Sequence, residues 1–442
     1  MRLSMIGHST VAIAGQGFHV LCDPWLSGRV FNEGWGLSPE PVFDRGLLDQ
    51  VDHLWISHEH PDHLHFPTLK AFPDAFKHRV TVLFQETNSD KVWAALGKLG
   101  YRNFRAVPHA KAQPLGTAGA SLMIYQHRHL DSALALRDES GAVINVNDAE
   151  LTRTDCEKLR RAFGGFQVVL RQFSIAGSEG VAALAASQSN EVLQTLVDHH
   201  RWLGAETTIP FASFMYFCRP DNERLNSNAN TALDARAALE RRGLRCHLMF
   251  PGSARALDEI AAGEGDVEAF ERFYAERRLA IDPPDPAVPL EALESAFRRT
   301  LAGWRSKFPE MLVDRIGAIP VRVLDHDRDY LMDFRAGTFT ATQVDPVLLI
   351  NSQPLHFAFS TPFGIQTLGV SGRYRMIHVP AAWKLVRILS SLYNAELYLR
   401  PRYLLSRRNI AWAWRRRDGL AGTLVQQAAR FRRLTSQTAG QG

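Results

Sequence analysis

The chain has 442 residues, 45% of them hydrophobic and 22% charged, and its 51 Lys and Arg against 46 Asp and Glu leave a net charge of +5. This composition excludes a disordered or fibrous polymer, and no apolar run approaches the ~18 residues that span a bilayer. A single hydrophobic core stops growing near ~250–300 residues, so the length predicts two domains.

Along the chain, Gly15-Gln16-Gly17 reads as a turn, and Cys22 falls in an apolar strand as a small buried hydrophobe. A strand-like run at 51–57 then delivers Ser57-His58-Glu59-His60-Pro61-Asp62-His63, ahead of a helix from Phe66. Imidazole nitrogens and carboxylate oxygens packed this densely suit zinc, iron or manganese. His58 and His60 alternate onto one side of an extended segment, while Asp62 and His63 follow the turn toward a second position. One loop is therefore expected to serve two metals. His109 is a loop histidine that could face the metal pocket, although such residues are usually incidental. Arg171, Ser174 and Ser178 follow a later apolar strand, on the expected substrate side. A helix over 190–203 is expected to carry His199 and His200 on its surface.

Composition changes between Gly252 and Gly265, and Asp282-Pro283-Pro284-Asp285-Pro286 cannot continue a helix. The expected division is a metal-binding catalytic domain over 1–257, a connecting helix and proline-rich linker over 258–289, and an α+β accessory domain over 290–442. The last opens with a helix at 290–308 and continues with short strands near 322–324, 330–334, 338–343, 347–350 and 367–374. The run 333–373 is similar to a sterol-carrier-type fold but carries no ligand-specific motif. Arg400, Arg402, Arg407, Arg408, Arg415, Arg416 and Arg417 are interleaved with Tyr398, Tyr403, Trp412 and Trp414 near the C-terminus. The plain reading is a solvated helix face with aromatics packed inward. Its functional reading is docking of an acidic partner protein, since no recognised nucleic-acid motif accompanies it.

The His58 to His63 pattern resembles that of the metallo-β-lactamase superfamily, which implies an αββα sandwich with metals at one edge between the sheets. Gly7-His8-Ser9-Thr10 and Val20-Leu21-Cys22-Asp23-Pro24-Trp25 are similar to its opening hairpin and strand-end turn. The resemblance implies that His127 completes a first site with His58 and His60, with His129 as the neighbouring alternative. It also implies that Asp148 bridges the metals and joins Asp62 and His63 at the second site. Several blocks resemble one branch, the CMP-N-acetylneuraminate hydroxylases: Asp23-Pro24-Trp25-Leu26-Ser27-Gly28, Ile56 to Leu64 with Phe66-Pro67-Thr68-Leu69, Asn145-Val146-Asn147-Asp148 and Pro210-Phe211-Ala212. Zinc hydrolases of the superfamily supply a late histidine to the second metal, and none falls between 209 and 235. Asn228 stands at roughly that place, as a weak ligand or a substrate contact.

Two reaction classes follow. As a non-haem iron oxygenase, with one or two iron ions, the protein would hydroxylate a C–H bond. As a zinc hydrolase, it would use metal-bound hydroxide, oriented by Asp62 or Asp148, on an ester, amide or phosphodiester. The missing histidine and the branch resemblance favour the oxygenase, acting on a small molecule such as a nucleotide sugar or another anionic compound. The hydroxylases carry a Rieske iron–sulfur domain, which needs closely spaced Cys and His pairs. Cys22, Cys156, Cys218 and Cys246 form no such pair. Electrons are thus expected from a separate ferredoxin or reductase. Scattered cysteines, and no basic-then-apolar segment at the start, predict a reduced cytoplasmic setting.

Overall fold

The computed structural model describes residues 1–410 except 88, 128–130, 178–181 and 408. His129, Ser178, Arg408 and the basic tail with Trp412 and Trp414 lie outside the described residues.

The strands of the N-terminal part assort into two stacked sheets. The first runs in the order Ala254–Ala256, Arg2–Met5, Val11–Gly15, Phe18–Cys22, His53–Trp55, Thr81–Gln85, Asn103–Val107. The second runs Ala205–Phe211, Phe166–Gln172, Gly141–Asn147, Ser132–Asp138, Ala120–Gln126, Gln113–Leu115. Alternation along each strand decides what its two faces cover. In Ser132–Asp138, Leu134 and Leu136 pack between the sheets, whereas Ala133 and Ala135 face outward with Leu159 and Phe163 of the helix Arg153–Phe163. In the first sheet, Leu21, Leu54 and Val82 likewise face Leu69, Phe76 and Leu96 of the outer helices. Strands covered on both faces read as near-continuous apolar runs, and the product is the expected αββα sandwich. Leu257, Ile260 and Phe270 also enter the inter-sheet core. The helix Val267–Glu276, expected as a connector, therefore packs as part of the first core.

The C-terminal region has its own five-stranded sheet, in the order Thr338–Ala341, Arg328–Asp333, Ala318–Val323, Leu348–Ile350, Tyr374–Met376. Helix Leu290–Lys307 places Leu293, Phe297, Leu301 and Trp304 on one stripe, which buries against that sheet with Trp383 and Val386 of the helix Ala381–Asn394. The segment expected as a strand over 367–374 is instead the helix Gly364–Ser371 followed by the strand Tyr374–Met376. Ile365, Leu368 and Ser371 are buried three residues apart, and Gly372 ends the helix in the left-handed conformation at φ 66°. Helical burial overrode the strand preference of Thr367 and Val370.

A buried polar network ties the two parts together around Arg373, which is 1% exposed. Its guanidinium donates to Asp221 (2.9 Å), to Asp285 and to the Asn32 carbonyl (2.9 Å). Asn222 donates to the carbonyls of both Gly34 (2.9 Å) and Ser371 (2.8 Å). His199 and His200, expected on a helix surface, are buried in the helix Ala182–Leu203. Their rings lie 2.9 Å from the Leu151 carbonyl and from Thr208 Oγ1 respectively. Among the described residues no helix is long and apolar enough to cross a membrane.

Candidate metal centre

At one edge of the sandwich several strands end and the chain turns sharply. Asp23 follows Phe18–Cys22 at φ 41°, Asn147 closes Gly141–Asn147 at φ 59°, and Ala212 follows Ala205–Phe211 at φ 49°. The register of Gly141–Asn147 shifts between Asn145 and Asn147, a bulge that re-aims Asp148 out of the ladder. The loop after His53–Trp55 brings His58 to His63 to the same edge. Left-handed backbone at non-glycine residues persists only where the surroundings impose it, and such residues gather at functional sites.

Two donor clusters result. His58, His60 and Asp148 offer atoms all within 4.8 Å of one another, as do His8, Asp62 and His63. His58 Nε2 lies 2.8 Å from His60 Nδ1 and 3.5 Å from Asp148 Oδ2. Asp62 Oδ2 lies 3.3 Å from His8 Nε2 and 3.2 Å from His63 Nε2. Asp148 Oδ2 is also 3.7 Å from His63 Nε2, so this carboxylate faces both clusters. His63 Nε2 is near Asp62 without hydrogen-bond alignment, and it is buried with no hydrogen-bond partner, like Asp62 Oδ1 and Asp148 Oδ1. Buried polar atoms left open in this way fit a cation held between them. Imidazole and carboxylate donors fit iron or zinc equally.

The supporting shell is equally specific. His63 Nδ1 faces Asp23 Oδ2 at 2.9 Å, and Asp23 Oδ1 accepts the Ser57 amide at 2.7 Å. This orients the ring so that Nε2 points at the cluster. Burial lowers the pKa of His8, His58 and His60, which keeps their rings neutral and able to donate a lone pair. Burial also opposes charge on His63, but Asp62, Asp148 and Asp23 outweigh it and hold this imidazole well above its ordinary value. Burial would raise Asp62, yet His63 and His8 hold it well below the usual carboxylate range. Asp131 is pushed up to about 6 by burial and then by Asp148.

Of the residues expected here, His58, His60, Asp62, His63 and Asp148 come together, with Asp148 grouped with His58 and His60 as well as facing His63. His127 stands outside both clusters. Its Nδ1 lies 3.3 Å from Asp155 Oδ2, and its Nε2 is buried without a hydrogen-bond partner. The Asn228 side chain donates to Ser227 Oγ. His109 accepts the Gln126 amide and stacks edge-on against Tyr125. Arg171 donates to the Asn147 carbonyl at 2.7 Å, beneath the site. The residue missed by sequence reasoning is His8, whose only signal is a polar ring in the Gly7-His8-Ser9-Thr10 turn between two apolar strands.

The clusters open on a cavity of ≈ 60 Å³, whose walls include Phe31, Trp35, Ile175, Ala212, Met215 and Val370. No Lys or Arg lines it among the described residues.

Residues 2–131 match the family described as a β-lactamase superfamily domain. A relative from Mycolicibacterium smegmatis whose name carries the words Rieske 2Fe-2S iron–sulfur protein is 25% identical over 383 residues, 76% of this chain and 72% of that protein. The cytidine monophosphate-N-acetylneuraminic acid hydroxylase of Xenopus laevis is 27% identical over 164 residues, 36% of this chain and 27% of that protein. Among solved structures, the isothiocyanate hydrolase from Delia radicum gut bacteria aligns with a TM-score of 0.42 at 15% identity, covering 58% of this chain and 98% of that one. This chain thus spans from about a quarter to under three-quarters of the length of these two sequence relatives.

Proposed function

Through its N-terminal region the chain belongs to the metallo-β-lactamase superfamily, and on that premise we propose that it is a dinuclear non-haem iron oxygenase that hydroxylates a C–H bond of a small molecule. The observation that carries this reading is the pair of nitrogen and oxygen donor clusters facing one carboxylate, Asp148, and opening on a cavity with mostly apolar walls. His58, His60 and Asp148 would hold one ion, and His8, Asp62 and His63 the second. Iron bound there would supply the activation of dioxygen. The chain's own residues would orient the donors through Asp23, limit water at the centre, and position the substrate against Phe31, Trp35 and Met215. The four cysteines are free and buried. None offers a redox pair, so the reading places the electron source in a separate protein. The likeness to a hydroxylase supports this reading, and the Rieske wording of another relative's name supports an iron–sulfur donor.

The test is the metal content of protein expressed without added metal, together with oxygen uptake on adding a reductant. One or two equivalents of iron and reductant-dependent oxygen uptake are expected, with the iron lowered and the uptake abolished in His58→Ala and Asp148→Ala. Zinc alone, with ester or phosphodiester hydrolysis that the same substitutions abolish, would overturn the oxygenase in favour of the zinc hydrolase.

A further inference from the structure

The C-terminal region reaches into the wall of the metal cavity, through Val370 at the end of the helix Gly364–Ser371. Val370 packs on the cluster of Trp25, Phe31, Trp35, Ile175 and Met215, which otherwise comes entirely from the sandwich. Gly177 lies so close to the carbonyls of Gly369 and Val370 that a side chain there would collide with them. The cavity is thus closed on that side by backbone as well as by a side chain.

A second part of the wall is held from the same region. Phe31 packs edge-on against His60, with ring centroids 5.8 Å apart. It opens a run of three non-glycine residues in the left-handed conformation, Phe31, Asn32 and Glu33, at φ 52°, 54° and 58°. Such a run needs outside support. Arg373 supplies it by donating to the Asn32 carbonyl, and Gln353 exchanges two amide hydrogen bonds with the Asn32 side chain at 2.9 and 3.0 Å.

We propose that the C-terminal region is the specificity element of the metal site: Val370 and the Phe31 turn that Arg373 holds set the size of the group that reaches the metal ligands, and that group is neutral and apolar. The proposal deepens the metal-centre reading and rests on it. Its charge argument comes from the lining residues. Arg171 is committed to the Asn147 carbonyl, and Arg373 to Asp221 and Asp285. A phosphate could place one oxygen on a metal, but among the described lining residues no Lys or Arg balances its remaining charge, which would be desolvated against Phe31, Ile175 and Val370. A substrate with an anionic portion would keep that portion outside the cavity.

The test uses the full chain with cobalt(II) exchanged into the centre, whose visible absorption reports ligands that reach the metal. The probes are straight-chain hydroxamates of two, four and six carbons, with phenyl phosphate as the anionic comparison. Each methylene buried on binding adds roughly fourfold in affinity. Val370→Ala is expected to bind the four- and six-carbon probes up to about sixteenfold tighter than the wild type, since it frees the room of about two methylenes. Val370→Trp is expected to lose these probes, with Val370→Ile as the milder obstruction should the tryptophan variant not fold. The two-carbon probe should bind all variants alike, and phenyl phosphate should bind less tightly than the six-carbon hydroxamate. A chain-length dependence that is the same in every variant, or a preference for phenyl phosphate, overturns the proposal. Straight-chain alcohols of the same lengths, titrated calorimetrically into metal-free protein, repeat the comparison without metal. If cobalt does not enter but the alcohols rank Val370→Ala above wild type above Val370→Ile, the metal reading falls and the wall stands. If the alcohols show no such ranking either, both fall.

Discussion

His8 and His63 share Asp62 between them, at 3.3 and 3.2 Å. In the proposed centre His8 is one of three donors to the second ion, so His8→Ala should lower bound metal from two equivalents toward one, read by elemental analysis. His58→Ala should instead deplete the first ion and keep the second, and loss of both ions in either variant would argue against separate sites. A different residue contributes to acid stability. Burial holds His200 down at about 4, against 6.5 when exposed. Between those values the unfolded chain binds more protons than the folded one, so stability is full above about pH 6.5 and falls as pH drops toward 4. His200 should account for up to about 3 kcal/mol of that loss at ~1.4 kcal/mol per pKa unit. Denaturant unfolding at pH 7 and pH 4.5 should show a smaller decline in His200→Gln than in the wild type.

The helix Arg153–Phe163 shows how one cap serves more than its own helix. Thr152 and Asp155 form a capping box, with the Thr152 side chain accepting the Asp155 amide and the Asp155 carboxylate accepting the Thr152 amide. The same carboxylate accepts the Tyr125 hydroxyl at 2.8 Å and lies beside His127 Nδ1. Thr152→Ala should cost about 1 kcal/mol, as cap removal does. Asp155→Ala should cost more, since it also leaves the Tyr125 hydroxyl and His127 Nδ1 without their partner at ~1–3 kcal/mol per buried group. Chemical denaturation of the two variants compares these losses. The Thr-x-x-Asp spacing was open to reading from the residues alone, but its second use was not, because Tyr125 lies about thirty residues away and meets Asp155 only through the sheet. The helix Gly364–Ser371 is the opposite case. Its short length and β-branched residues point to a strand, and only the core beneath Ile365 and Leu368 settles it as a helix.

At the scale of the molecule, the coupling of the two parts runs through Arg373, which is buried between Asp221 and Asp285. The left-handed residues Phe31, Asn32 and Glu33 each store roughly 1–3 kcal/mol, which the contacts from Arg373 and Gln353 must outweigh. Arg373→Ala leaves the Asp221 carboxylate without its cation, while Asp285 keeps Arg219 at 3.2 Å, and removing one partner of a buried ion pair typically costs about 3–5 kcal/mol. Unfolding followed by circular dichroism and by tryptophan fluorescence should then separate into two transitions, with the C-terminal region melting first. A single transition at the wild-type midpoint would mean that the network does not couple the two parts.

The residues by themselves determined the His58 to His63 donor loop, because its ligands are spaced along one turn, whereas the sandwich was implied by the resemblance that this loop and its flanking motifs carry. They also determined that Asp148 belongs at the end of an apolar strand. Only the tertiary structure decided that His8 completes a donor cluster and that Val370, more than 300 positions from His60, closes the cavity they face. The reason is physical. Donor clusters and cavity walls are made by strand ends and helix ends that meet across sheets, and no periodicity along the chain records which ends will meet.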